Sequence, residues 1–449
     1  MRKRVCADSP QESCDHSDQV ADEKVMEREA ELAAVQALIL PGLNRRESLR
    51  RYYAEWFPAP MIERWLADHV DSDGRSSLHF REFSFTLEDS DGSERFIRYL
   101  SYEDAATFAA ELVRMTPLRY DIGAVYDANP RDRHRRLNKL EPMERELVFD
   151  VDLDVYEPVI ALGHDTDNLK AAIAQDPLRA CTENWLFIEA AVAVLERALR
   201  EDFGFQHILW VFSGRRGIHA WVCDPRARRL SDEARAAIVE YLQYRAPLTG
   251  VGAAAASSSM SRAPTALMHP SLRRAAEILM PFMDRFLDQR PGIWFDEQAV
   301  RTLLALCPDS RVRETLGHAL RRSHSADSAS TTWRNMLQRL EDKRLDTDAA
   351  LHIVLHLLYP RLDVNVTRQR NHLLKGPFSV HPKTNCICVP FTPDRVSSFR
   401  PERDVPQLIP LVTGDAASQQ QMRACLEMMQ AFVARLRGCT PPRPPMDGV

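Results

Sequence analysis

The stretch ELVFDVDLDV, Glu146–Val155, decides how the rest of the chain is read. Phe149, Val151 and Leu153 alternate with Asp150, Asp152 and Asp154, which predicts a strand with three carboxylates on one side. Like charges two residues apart repel, and Asp is a poor strand former. Two surroundings relieve that cost. One is a solvated outer face, where acids on an edge strand discourage aggregation. The other is a divalent-metal site, where hard oxygen ligands hold Mg2+ or Mn2+ that also grip phosphate oxygens. The motif alone leaves both open.

Downstream, an apolar strand is expected over 208–212, then the turn Ser213-Gly214-Arg215-Arg216-Gly217-Ile218-His219, then a strand over 220–223. Glycines let backbone approach a ligand and aim its N–H groups inward, and guanidinium forks match phosphate oxygens. The composition suits a polyphosphate cradle. A tight hairpin turn with exposed arginines is the other reading, since the turn lacks the length of a Walker loop. A third cluster, RLDVNVTRQRNHLLKGPFSVHPK over 361–383, places Asp363 on a predicted short strand at 362–366, Lys375 before Gly376-Pro377 and His381 before Pro382. One acid, one lysine and one histidine, mostly on turns, suit a metal ligand with triphosphate contacts.

Upstream of the acidic stretch, residues 78–102 alternate around an Asp-Gly turn at 89–93, a hairpin signature, with Glu82 and Arg98 in the arms. A helix over 102–115, the run DIGAVYD with Asp121 and Gly123, and a basic loop over 131–144 follow. Before the hairpin, 25–40 and 45–67 read as helix, with Tyr52, Tyr53, Trp56, Phe57 and Trp65 on a buried face. Beyond the acidic stretch a linker runs to about residue 180. A helix then spans 185–199, with Thr182 available as cap and Gly204 as stop. A helix over 231–244, almost unbroken helical pattern over 272–358, strand character at 362–366 and 387–391, and an amphipathic helix over 418–437 capped by Ser418 complete the chain.

The fold class is α/β of the α+β kind, a mixed-sheet core with an inserted helical subdomain. Residues 1–26 read as a disordered leader, 27–249 as the first part of the core, 250–355 as a low-complexity joint and helical insertion, 356–412 as the completing part, and 413–449 as a C-terminal helix and disordered tail. A chain of 449 residues can bury a substantial core, and 45% hydrophobic with 27% charged residues is ordinary for a soluble globular protein. A net charge of −5 gives no global basic field, so a nucleic-acid surface must be local; basic clusters stand at 45–51, 131–136 and 226–229. Nine scattered cysteines without regular pairing imply a reducing compartment. No apolar run of about 18 residues and no targeting pattern sends the chain to a membrane or organelle, leaving cytosol or nucleus.

Taken together, the stretches REFSFTL, DIGAVY, ELVFDVDLDVY, EDFGFQHILWVFSGRRGIHAWVCD, PRLDVNV and NHLLKGPFSVHPKT resemble, in this order and at compatible spacings, the small catalytic subunit of eukaryotic DNA primase. The resemblance covers roughly residues 45–400. It implies the archaeo-eukaryotic primase fold and DNA-templated synthesis of short RNA primers from nucleoside triphosphates, by two-metal nucleotidyl transfer, in replication initiation. It implies Asp150, Asp152 and Asp363 as catalytic carboxylates and Mg2+ or Mn2+ ligands, Ser213, Arg215, Arg216 and His219 as triphosphate contacts, and Glu82, Asn371, Lys375 and His381 as further nucleotide contacts. Arg98 and Asp121 fall in motifs near the active site, and Asp154 receives no catalytic role. The implied partners are a primase large subunit carrying an iron–sulfur cluster, the DNA polymerase alpha complex and a single-stranded DNA template, and the implied place is the nucleus.

One departure stands out. Members of that family carry a four-cysteine zinc knuckle between the acidic strand and the long helix, whereas here only Cys181 holds such a position, with Asn184 in place of another ligand. His164, Asp165, Asp167 and Asp176 are the nearby substitutes, and one thiolate with scattered oxygens is a poor structural zinc set, so no zinc is expected. Two alternatives of other classes stay in view: a metal-dependent nuclease using the same carboxylates with water as nucleophile, and a catalytically silent structural subunit of a primase complex.

Overall fold

The aromatic-rich segment at 45–67 folds as two helices. In the computed structural model, which describes residues 44–67, 77–162, 175–245, 268–307, 309–321, 328–345 and 347–438, α1 (Arg45–Glu55) is capped by Asn44. A second helix, α2 (Ala59–Leu66), starts after Pro58 and carries Pro60 in its first turn, where a missing N–H breaks no helical bond. Tyr52, Tyr53, Phe57 and Trp65 are buried, as their spacing predicts, while Trp56 is only partly covered. The expected helix at 25–40, the leader, the low-complexity joint, the tail, and His164, Asp165 and Asp167 lie outside the described residues.

The expected hairpin is present as β1 (Arg81–Glu88) and β2 (Glu94–Leu100), with Gly92 at φ +81° in the turn. After α3 (Ala105–Met115), which a capping box between Asp104 and Thr107 starts, β3 (Arg119–Tyr126) pairs antiparallel with β1 and β4 (Pro142–Glu144) joins β3. A second antiparallel sheet begins with β5 (Leu147–Asp152), β6 (Ile208–Phe212) and β7 (Gly217–Val222). Late in the chain β8 (Leu374–Lys375) returns to the first sheet beside β3, and β9 (Pro390–Phe391) extends the second. The sheet orders are β2-β1-β3-β4, with β8 on β3, and β5-β7-β6-β9. In the second sheet β5 is therefore an edge strand.

Four local expectations are corrected, each by a capping side chain or a turn. The acidic strand ends at Asp152: its Oδ1 accepts from Asp154 N at 3.0 Å and opens a 3-10 turn, Leu153–Tyr156, so Asp154 leaves the strand. The predicted strand at 362–366 is instead a short helix, α11 (Val364–Arg368), because Asp363 caps it, its side chain accepting from Asn365 N. Thr182 lies in a preceding helix, Pro177–Glu183, and its hydroxyl donates to Leu178 O at 3.1 Å rather than capping the next one. Ser418 sits inside the last helix, whose cap is Asp415, accepting from Ser418 N at 2.8 Å.

The helices after the acidic strand cover the second sheet and build the insertion. The buried helix α4 (Trp185–Glu201) stops before Gly204 at φ +65°, and Ser231 caps α5 (Asp232–Tyr241). Then come α6 (Pro270–Asp288), α7 (Glu297–Ala305), α8 (Ser310–Arg321), α9 (Ala329–Asp342) and α10 (Asp348–Leu358), with no strand among these described residues. The block docks through α6 on α4: Arg285 donates to both oxygens of the buried Glu189 at 2.7 and 3.0 Å, and Phe187 meets Phe286 edge-on. The chain then re-enters the sheets through α11 (Val364–Arg368) and closes with α12 (Ala416–Leu436). Among the described residues no helix is long and apolar enough to cross a membrane.

Candidate active site

The predicted chemistry gathers where the two sheets meet. Two contacts stitch the seam. Arg81 of β1 forms a fully buried fork to Glu146, at 2.8 and 3.0 Å, and Lys375 of β8 donates its Nζ to Ser213 O at the end of β6, at 2.6 Å.

Asp150 and Asp152 project from one face of β5 at its C-terminal end. Asp363 joins them from a distant part of the chain, its N–H donating to Asp150 O at 3.1 Å and its Oδ1 accepting from Asn365 N at 3.0 Å. Burial first, then the charges of Asp152 and Asp363, push the Asp150 carboxyl up to about 7, against the opposing pull of Lys375. The carboxylates thus repel one another, as the sequence pattern implied. Asp152 and Asp363 each use Oδ1 in a local turn, which leaves Oδ2 outside it. Among the described residues no three His, Cys, Asp or Glu side chains close into a ready cage. Mg2+ does not need one, since it is commonly held by one or two carboxylates with substrate phosphates and water completing the shell. The all-oxygen donor set, with surplus negative charge, fits such an ion.

Beside it, where Gly217 pairs with Asp152 across β5 and β7, lies the glycine turn. Gly214 has φ +90°, and a Cβ there would stand 2.8 Å from His381 Cβ; one on Gly217 would stand 2.7 Å from Val151 O. Both glycines are thus required by close approach. Ser213 Oγ accepts from Gly217 N at 3.1 Å and closes the turn. The Nε atoms of Arg215 and Arg216 are buried without a hydrogen-bond partner, and Arg216 reaches Asp154 through Nη2. His219 pairs with Asp150 across β5 and β7, its Nε2 3.8 Å from Asp150 Oδ1, and its Nδ1 is buried and unpartnered. Burial and Lys375 lower its pKa to about 3. His381 falls to about 2, through burial and then the charges of Lys375, Arg215, Arg119 and Lys383. Unsatisfied donors, with imidazoles kept neutral by burial and surrounding cations, describe a place short of an anion.

A family model described as DNA primase small subunit matches residues 149–393, a span that holds the acidic strand, the glycine turn and the Asp363 cluster. The chain is similar to the DNA primase small subunit of Drosophila melanogaster, 34% identical over 86% of this chain and 84% of that one. It is similar to those of Schizosaccharomyces pombe, 36% identical over 80% and 76%, and Saccharomyces cerevisiae, 33% identical over 86% and 90%. The chain belongs to the DNA primase small-subunit family.

Its function is that of a primase catalytic subunit, a primer-synthesising nucleotidyltransferase of a primase complex with a DNA template. These matches favour neither the nuclease nor the silent structural subunit. In this primase subunit Asp150, Asp152, Asp363, Ser213, Arg215, Arg216, His219, Lys375 and His381 are neighbours around the end of β5. Glu82 and Asn371 stand behind it. The Glu82 carboxylate is fully buried and accepts from Arg98 Nε at 2.9 Å, Arg98 Nη2 at 3.2 Å, Tyr99 N at 3.2 Å and Tyr126 OH at 3.0 Å. Arg98 Nη2 also donates to Asn371 O at 3.2 Å. Arg98 is thus held by the Glu82 carboxylate and the Asn371 carbonyl. Asp121, opposite Lys375, accepts from Ser84 Oγ at 2.9 Å, and burial raises its carboxyl.

The zinc-knuckle position departs from the family pattern in the structure too. Burial pushes the Cys181 thiol far up, the reverse of a thiolate ligand, while Asp176 Oδ1 accepts from Arg179 N and Asn184 Nδ2 donates to Ala180 O. These described donors do not fit zinc.

Sequence reasoning missed the polar groups behind the acidic strand: Arg81, Arg145, Glu146 and Arg235 are all fully buried. Arg81, Arg145 and Glu146 border the strands β1 and β5, and Arg235 lies inside α5, positions at which charge alone gives no signal of burial.

Proposed function

We propose that this primase subunit makes RNA primers from nucleoside triphosphates with Asp150, Asp152 and Asp363 holding divalent cations, Mg2+ or Mn2+. The supporting observation is the union of a repelling carboxylate set, fixed by the Asp363 N to Asp150 O bond, with an anion-short glycine turn in one cleft. Bound cations would lower the pKa of the attacking 3′-hydroxyl and neutralise the leaving pyrophosphate.

The chain's own residues supply the remainder. Arg215 and Arg216 offer guanidinium N–H groups to triphosphate oxygens, and Lys375, tied to Ser213 O, brings its ammonium to the same place. His219 and His381 are neutral in the free protein, and a triphosphate would raise their proton affinity and draw their N–H groups to its oxygens. Gly214 and Gly217 keep the turn close to β5 and His381. Glu82 and Asn371 act through Arg98, whose position they set. Such fixed charges gain strength as water leaves the cleft.

The same reading gives a single-stranded DNA template gripped mainly through its phosphates, so affinity falls with salt. It gives a large primase subunit carrying an iron–sulfur cluster and DNA polymerase alpha as partners, and the nucleus as location; family likeness supports these. Zinc has no part in it.

Incubating the full chain with poly(dT), labelled ATP and Mn2+ is expected to yield oligoadenylate. Asp152→Ala is expected to abolish incorporation while leaving thermal unfolding cooperative. Polymerisation retained by Asp152→Ala would count against the site.

A further inference from the structure

An edge strand exposes every second carbonyl on its open side, and on β5 donors that belong to no strand take these in turn. Glu146 O, just before the strand, accepts from Arg235 Nη1 at 3.2 Å. Val148 O accepts from the Thr367 hydroxyl at 2.7 Å, and Asp150 O from Asp363 N at 3.1 Å. The last two donors lie at opposite ends of α11, so this one-turn helix lies along the open edge in a fixed register. Its far end is held again: the fully buried Arg145 donates Nη1 to Val366 O at 2.8 Å and to Gln369 O at 3.0 Å. Arg370 closes the segment onto α5 through Asp232 at 2.9 Å.

Thr367 is fully buried, two hundred-odd residues from Val148 in sequence, and touches neither the carboxylates nor the glycine turn through its hydroxyl. Its hydrogen bond, with those of Arg145, gives α11 further attachment besides the Asp363 N–H, and a single backbone bond fixes position but not direction. Asp363 itself is exposed and anchored only through its backbone and its local cap. A small rotation of α11 would carry its carboxylate away from Asp150 and Asp152, and oxygen ligands of a small cation tolerate little displacement.

We propose that Thr367, seconded by Arg145, is a positioning residue: by docking α11 on the edge of β5 it sets where the Asp363 carboxylate stands relative to Asp150 and Asp152. The proposal rests on the reading of those three carboxylates as cation ligands.

Mn2+ alone is the probe, with binding to the full chain read from the loss of the free-ion electron paramagnetic resonance signal, alongside thermal unfolding. Thr367→Val removes the hydroxyl at nearly constant volume and is expected to weaken Mn2+ binding about tenfold or more, the effect typical of groups that orient metal ligands. Thr367→Ser, which keeps the hydroxyl, is expected to bind within about twofold of the parent, as is Met336→Ala, a core truncation in the distant helical block. Should Thr367→Val fail to fold, Arg145→Met, which removes the donor to both carbonyls, carries the same expectation. Unchanged Mn2+ binding in Thr367→Val, or equal weakening in Met336→Ala, overturns the proposal. Asp363→Asn separates the two layers: if it leaves Mn2+ binding intact, the carboxylate reading itself fails, and if it alone weakens binding, only the positioning role does.

Discussion

The two walls of the cleft are opposites in charge and in construction. The β5 wall brings together three carboxylates, with burial and then the charges of Asp152 and Asp363 raising the pKa of Asp150, and it is assembled from the end of one strand and a helix cap more than two hundred residues later. The glycine-turn wall brings together arginines with unpartnered nitrogens and imidazoles kept neutral by burial and nearby cations, mostly within one seven-residue stretch. Each wall is unsatisfied alone, in opposite senses. On the proposed reading a cation-bound triphosphate would satisfy both, and neither wall would bind it well without the other.

The largest break of this comparison is on the acidic wall. Asp150→Asn is expected to drop primer synthesis to background yet to raise stability of the metal-free protein, on the order of 2 kcal/mol, because it removes one of the mutually repelling charges from a partly buried site. Activity on poly(dT) and urea unfolding of the same preparation check both halves; lost activity with lost stability would mean the carboxylate is structural.

On the basic wall, Gly214→Ala imposes a side chain at φ +90° and 2.8 Å from His381 Cβ, and is expected to cost about 2–4 kcal/mol in folding stability, read from urea unfolding. Arg215→Gln should be milder and more selective. Loss of a charge-assisted hydrogen bond of about 1.5–3 kcal/mol raises the KM for the nucleoside triphosphate roughly tenfold to a hundredfold, with Mn2+ binding by the free protein unchanged. Weakened Mn2+ binding in that variant would dissolve the distinction between the walls.

The smallest effect is in pH. Asp150 titrates near 7 in the folded protein and near 3.8 when unfolded, so from about pH 4 to 7 the unfolded chain releases a proton that the folded chain keeps. Metal-free stability from this group therefore falls across that window and is level above it. Cation binding requires the ionised form, so the rise in Tm given by Mn2+ should be greater at pH 8 than at pH 6, with proton release on binding at pH 6. An equal rise at both values would place the cation elsewhere.

The two walls also differed in how far the sequence revealed them. The glycine turn was legible because its residue types stand together in one short run, glycines flanking two arginines, although what requires the glycines is their close approach to His381 and Val151. The acidic wall was legible in composition but not in shape. Asp152 and Asp363 are short side chains that bond to backbone two residues on, and that choice ended the strand before Asp154 and made a helix cap of a residue expected on a strand. Alternation of Leu362, Val364 and Val366 gave no warning, since a one-turn helix is too short to show its own period. The hairpin at 81–100 and the helical block from 270 to 358 followed their patterns over longer stretches and came out as expected. Glu82 illustrates a further limit: sequence shows a carboxylate in a motif, but only packing shows that Arg98, Tyr99 and Tyr126 have consumed it.

The most direct test of the account is the position of bound metal and nucleotide together, by anomalous diffraction from crystals of the full chain grown with Mn2+ and a non-hydrolysable nucleoside triphosphate. The account predicts anomalous density within bonding distance of Asp150, Asp152 and Asp363, with the triphosphate running from that density to Arg215, Arg216, Lys375 and His381. Manganese bound away from these aspartates, or a triphosphate seated outside the glycine turn, would contradict it.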